Sequence, residues 1–99
     1  MDPQPFAGND RTPKFSPGRL VATRNALNHI PNDEILIALL RHVTGDWGIL
    51  GAEDLSSNEH ALKEGGRLFS AYRSTGKIKF WIITEADRSA TTVLLPEDY

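Results

Sequence analysis

The chain of 99 residues contains no cysteine. That absence removes disulfide scaffolds, zinc–thiolate sites, iron–sulfur clusters and cysteine nucleophiles, and it fits a reducing compartment. Long apolar runs are missing too. The longest, Ile35 to Leu40, is far short of the ~20 residues that cross a bilayer. The start, Met1-Asp2-Pro3-Gln4-Pro5, has no positive charge followed by an apolar stretch, so no secretory signal is expected. Nor is there an excess of charge. Eleven basic and 13 acidic side chains leave a net charge of −2, so no overall basic field draws the chain to nucleic acid or an anionic membrane. No G-x-S-x-G elbow, Walker glycine–lysine loop or G-x-G-x-x-G turn occurs. These absences predict a cytoplasmic protein without a membrane segment, a metal or a cofactor.

What is present is an ordinary globular composition, 39% apolar and 24% charged, long enough for one core. Four of the six prolines (Pro3, Pro5, Pro13, Pro17) fall in the first 17 residues among Gly8, Asn9 and Asp10. That mixture sustains neither helix nor ladder, so residues 1–17 read as a flexible tail and 18–99 as a single domain. Gly18 to Thr23 can add a first strand, and Thr23 or Asn25 can cap a brief helical turn ended by Pro31. A helix is predicted over 33–43, with Asn32 as its cap and Asp33 and Glu34 against the positive end of its dipole. Ile35, Leu36, Leu39, Leu40 and Val43 would form its inward face. A second helix starts near Ser56, where Glu59 completes a capping box, and stops at Gly65-Gly66.

From Arg67 the period becomes two. Leu68–Arg73, Ile78–Glu85 and Thr91–Leu95 read as three strands, the first two joined by Ser74-Thr75-Gly76 with glycine in the left-handed position. The predicted class is α+β: two helices packed on one face of a C-terminal three-stranded antiparallel meander, with the added N-terminal strand open.

Charge is segregated along the chain. Residues 46–64 carry five acids (Asp46, Glu53, Asp54, Glu59, Glu64) against Lys63, a local −4. Residues 67–88 carry five bases (Arg67, Arg73, Lys77, Lys79, Arg88) against Glu85 and Asp87, a local +3. A sheet with one basic side can meet a polyanion, or the two segments can neutralise one another on a solvated surface. His29, His42 and His60 are too far apart in sequence for a short-spaced ligand pair, so no metal site is expected. Trp47 and Trp81 are the candidate anchors for a partner, with Lys79, Arg73, Arg88 and Asp87 beside them. Asn58 reads as a partly buried residue that ties its helix to the Asp46-Trp47-Gly48 turn.

Element order is similar to that of RelE/ParE toxins, whose ribonucleases place catalytic groups on the sheet. This similarity implies His42, Tyr72, Arg73 and Arg88 as candidate catalytic residues, with Ser70, Thr91 and Thr92 as further polar groups. The acidic total charge runs against it. A more specific resemblance covers 45–99: Gly45-Asp46-Trp47-Gly48, Glu53-Asp54, Asn58-Glu59, Ala61-Leu62, Ser70-Ala71-Tyr72, Trp81 through Ser89, and Leu94 through Tyr99. These stretches resemble a group of short proteins of bacterial plasmids and integrated elements. The resemblance implies a mobile-element accessory protein and names no catalytic residue. The expected function is a small non-enzymatic protein-binding module, serving host-defence inhibition or plasmid maintenance. The alternative is a RelE/ParE-like ribonuclease toxin or an inactive relative of one.

Overall fold

A computed structural model describes residues 12–99. The order of elements is β1 (Arg19–Ala22), α1 (Arg24–His29), α2 (Asn32–Val43), α3 (Ala52–Glu64), β2 (Leu68–Arg73), β3 (Lys79–Thr84) and β4 (Ala90–Leu94), followed by a 3₁₀ turn at Pro96–Asp98. β2, β3 and β4 form the expected meander, Leu68 pairing with Thr84 and Thr84 with Thr91. The added strand is present, but it changes the sheet. β1 lies parallel to β4, Leu20 opposite Thr91, and the strand order is β1-β4-β3-β2. The sheet is therefore mixed rather than antiparallel. The connection from β1 to this parallel neighbour runs through all three helices and then β2 and β3.

Local chemistry explains most element boundaries. Thr23 caps α1, its hydroxyl accepting from the Ala26 amide at 3.0 Å. α2 keeps Asp33 and Glu34 in its first turn and Arg41 and His42 in its last, although Pro31 rather than Asn32 is the cap residue. α3 begins at Ala52, one turn before the predicted Ser56. Ser56 therefore lies inside the helix rather than at its cap, and the Glu59 carboxylate accepts from Trp47 Nε1 at 3.0 Å. Gly65, at φ +92°, ends α3 as predicted. In the β2–β3 turn the left-handed residue is Lys77, φ +68°, not Gly76. The turn is held by Ser74, whose amide donates to Ile78 O at 2.9 Å while its hydroxyl accepts from the Ile78 amide at 3.1 Å.

The main core lies between α2 and one face of the sheet. Ile35 and Ala38 of α2 meet Tyr72, Phe80, Ile82 and Val93, with Ala26 and Ile30 closing one end. α2 is thus turned from the face its leucines suggested. Ile35, Ala38, His42 and Val43 are buried, Leu39 is half-buried, and Leu36 and Leu40 are 60% and 66% exposed. A smaller core of Trp47, Ala61 and Leu68 sits under α3. Phe15, expected in the tail, packs there as well, stacked on Trp47 with ring centroids 6.4 Å apart. The Lys14 amide donates to Val43 O at 2.7 Å, so the ordered domain includes residues 14–17. The part of the expected tail over residues 1–11 lies outside the described residues.

The outer edge of β2 is closed by the loop after α2. Ala71 donates to Trp47 O at 3.1 Å and accepts from the Ile49 amide at 2.7 Å. Gly48 sits between them at φ +78°, where a Cβ would collide with Ala71 O, so only glycine fits this approach.

Candidate functional site

Alternation along the strands divides the sequence-predicted residues between two faces. On the helix face, Ser70, Thr84 and Thr91 form a polar strip across β2, β3 and β4, and all three are buried. His42 descends onto this strip from α2. One ring nitrogen bonds the Ser70 hydroxyl and the other the Thr84 hydroxyl at 2.9 Å. Thr84 bonds Thr91 at 2.7 Å, and Thr91 donates to Pro17 O at 2.7 Å. Phe15 and Trp47 close over the imidazole with ring centroids 5.4 and 5.5 Å away. Burial pushes the His42 pKa down to about 4. A neutral imidazole with both nitrogens occupied joins four elements and the N-terminal arm.

The other candidate catalytic residues are similarly engaged. The Tyr72 hydroxyl donates to Asp46 O at 2.7 Å, and burial raises its pKa. Arg41 lies over the same ring at 4.7 Å and pairs with Asp46 at 2.7 Å, holding that carboxyl below its ordinary range. Arg88 donates to the carbonyls of Gly66 and Ala61 at 2.6 and 2.9 Å and to those of Glu85 and Ala86. It therefore fastens α3 to the β3–β4 turn. His42, Tyr72 and Arg88 do not converge on an open surface; Arg73 alternates onto the opposite face of β2, although at the sheet edge it also lines a shallow pocket of about 130 Å³ with Tyr72, Arg41 and Glu34. Asp87 accepts from the Ser89 amide at 2.9 Å, a turn contact. Trp47, a candidate anchor, is core, 4% exposed. Asn58 is buried and bonded as expected, but to β2: it donates to Phe69 O at 2.7 Å and accepts from the Phe69 amide at 3.0 Å.

Three of the predicted binding residues do come together, on the helix-free face. Trp81 stands between Phe69, edge-on at 5.2 Å, and Tyr99, at 5.9 Å. With Ile83 and Arg67 these rings line an open pocket of about 230 Å³. Arg67 donates to the Tyr99 hydroxyl at 3.0 Å and lies 3.7 Å from the Glu85 carboxylate, which together orient the last residue over the pocket. At the far end of the same face Arg73 stands directly opposite Lys79 in the β2–β3 register, both exposed, with exposed Lys77 in the adjoining turn. Like charges held opposite one another on a sheet repel. Sequence reasoning missed Phe69, Arg67 and Tyr99. The period-two pattern places Phe69 and Trp81 on one face, but nothing local brings the final tyrosine across β3.

Among the described residues no group of three or more His, Asp or Glu side chains is placed to hold a metal ion. No described helix is long and apolar enough to cross a membrane. No protein-family model matches the chain, and neither a curated protein nor a solved structure matches it.

Proposed function

We propose that the protein is a small non-enzymatic binding module whose helix-free sheet face holds an acidic segment of a protein partner. The observation that carries this reading is the pairing of an aromatic pocket with a cationic cluster on one face. Phe69, Trp81 and Tyr99 offer rings that an apolar or aromatic side chain can fill. Arg73, Lys79 and Lys77 repel one another until an anionic group is set among them, so complementary charge relieves a cost already present. The resemblance of 45–99 to plasmid-borne proteins supports a mobile-element setting, with host-defence inhibition or plasmid maintenance as the outcome of binding. The RelE/ParE-like alternative needs a base, an acid and a cation converging on solvent. The buried, doubly bonded His42, the bonded Tyr72 hydroxyl and the carbonyl-bound Arg88 support binding over catalysis.

The test is titration of the labelled protein, followed by amide and indole NMR shifts. The titrants are a Glu/Asp-rich peptide with one central Trp, the same peptide with Ala for Trp, and a single-stranded oligonucleotide. The first peptide should shift Trp81, Phe69 and Arg73, bind more weakly as salt rises, and lose binding in Arg73→Glu/Lys79→Glu. Tighter binding of the oligonucleotide, or shifts confined to other surfaces, would overturn the reading.

A further inference from the structure

A second surface, on the opposite side of the sheet, is unrelated to the aromatic pocket. Between α2 and β1 runs a groove of about 340 Å³, lined among the described residues by the apolar side chains of Pro17, Leu20, Leu36, Leu39, Leu40 and Val43. Leu20 is 55% exposed, and with Leu36 and Leu40 it makes one continuous patch. Three leucines more than half exposed reach the order of 300 Å² at which apolar patches mark contact surfaces.

The strand beside this groove is the open edge of the sheet. The Arg19 and Thr23 amides donate toward β4, to Ser89 O and Val93 O at 3.0 and 2.9 Å. Main-chain groups alternate along a strand, so those of Leu20 and Ala22 point the other way. Among the described residues no strand lies on that side. The β2 edge is closed by the Trp47–Ile49 loop, whereas β1 is a four-residue edge that carries one charge, Arg19, beside the exposed Leu20 and Val21.

Charge at the ends of the groove selects the occupant. Exposed Asp33 lies at the N-terminal end of α2 and accepts from the Glu34 amide. Exposed Lys14 lies at the C-terminal end, tied by its main chain to Val43 and with its side chain over Gly45. The two ends are about 15 Å apart at 1.5 Å per residue. Two charges of opposite sign on the α2 side thus flank an apolar middle, with exposed Arg19 and Arg24 on the β1–α1 side. Turned by a twofold axis, that pattern is its own complement: the Asp33 end meets the Lys14 end twice, leucine meets leucine, and the α2 dipoles oppose. We infer that the α2–β1 groove is covered by the same groove of a second copy, forming a twofold-symmetric homodimer. A low net charge leaves little long-range repulsion between copies.

Light scattering after gel filtration, with sedimentation equilibrium across a concentration series, tests this on the full chain. The wild type should show twice its 11.0 kDa mass. Leu36→Asp and Leu40→Asp, at exposed positions, should keep the circular dichroism spectrum and weaken dimerisation about a hundredfold or more. Asp33→Lys should weaken it roughly two- to tenfold, and Asp33→Lys/Lys14→Glu should restore it. A wild type that stays monomeric at the highest concentration overturns the inference. So does a dimer that both aspartate variants leave intact, or a charge swap without rescue.

Discussion

His42 gives a test of the core that reads directly on pH. Its folded-state pKa is about 4 because the ring is fully buried, whereas an imidazole in the unfolded chain titrates near 6.5. The unfolded chain therefore takes up the proton first. Stability is complete above about pH 6.5 and declines as pH falls through the window down to about pH 4. The whole separation corresponds to about 3 kcal/mol, of which about 2–3 kcal/mol is already lost at about pH 4.5. For a domain of this size that loss lowers the melting temperature by roughly 10–20 °C. The comparison needs a side chain that does not titrate, so His42→Asn is the variant; its amide stands where Nδ1 meets Ser70 and gives up the Nε2 bond to Thr84, a loss that is the same at every pH. Urea unfolding of both proteins from about pH 7 to pH 4.5 cancels every other titrating group, including Asp46 and Asp98, whose pKa values are lowered by their hydrogen-bond partners. The wild-type stability should fall by about 2–3 kcal/mol more than that of the variant. Parallel pH profiles would falsify the argument that His42 is buried neutral.

Three further measurements probe the framework. Asn58→Ala leaves the Phe69 amide and carbonyl without their side-chain partner and should cost about 1–3 kcal/mol in denaturant unfolding; a neutral effect would mean that water replaces both bonds. Gly48→Ala forces a methyl group onto Ala71 O and should destabilise by at least about 2 kcal/mol. It should also speed amide exchange at Ala71, and unchanged exchange there would contradict the edge closure. Phe80→Ala opens the centre of the main core and should cost about 3–5 kcal/mol, a loss that thermal melts would miss only if the ring were not packed as described.

Much of the fold is legible without coordinates because its signals are local. The 33–43 helix carries its acids at one end and its bases at the other, Gly65-Gly66 stops α3, and period two marks β2, β3 and β4. Errors arose where a local signal had a distant competitor. The Ser56–Glu59 box fits its spacing rule, yet α3 starts a turn earlier at Ala52, and Glu59 bonds Trp47, 12 residues away. The leucine stripe of α2 is the more hydrophobic face, yet the sheet accepts the face with Ala38 and His42. Ala38 packs directly in the main core, and Ser70 and Thr84 offer hydroxyls to the imidazole. Those partners lie 28 and 42 residues from His42, beyond any periodicity. The candidate site was half legible: Trp81, Arg73 and Lys79 follow from strand alternation, whereas Tyr99 reaches the pocket only through the closing 3₁₀ turn.

The missing cysteines, the lack of long apolar runs and the switch of period from helix to strand determine by themselves an α+β domain with a C-terminal meander. Tertiary structure decided that β1 joins in parallel beside β4, that His42 is core, and that Trp47 is buried while Trp81 lines an open pocket. The physical reason is that residue spacing sets which side chains share a face. Which face goes inward depends on partners brought together only when the sheet has formed.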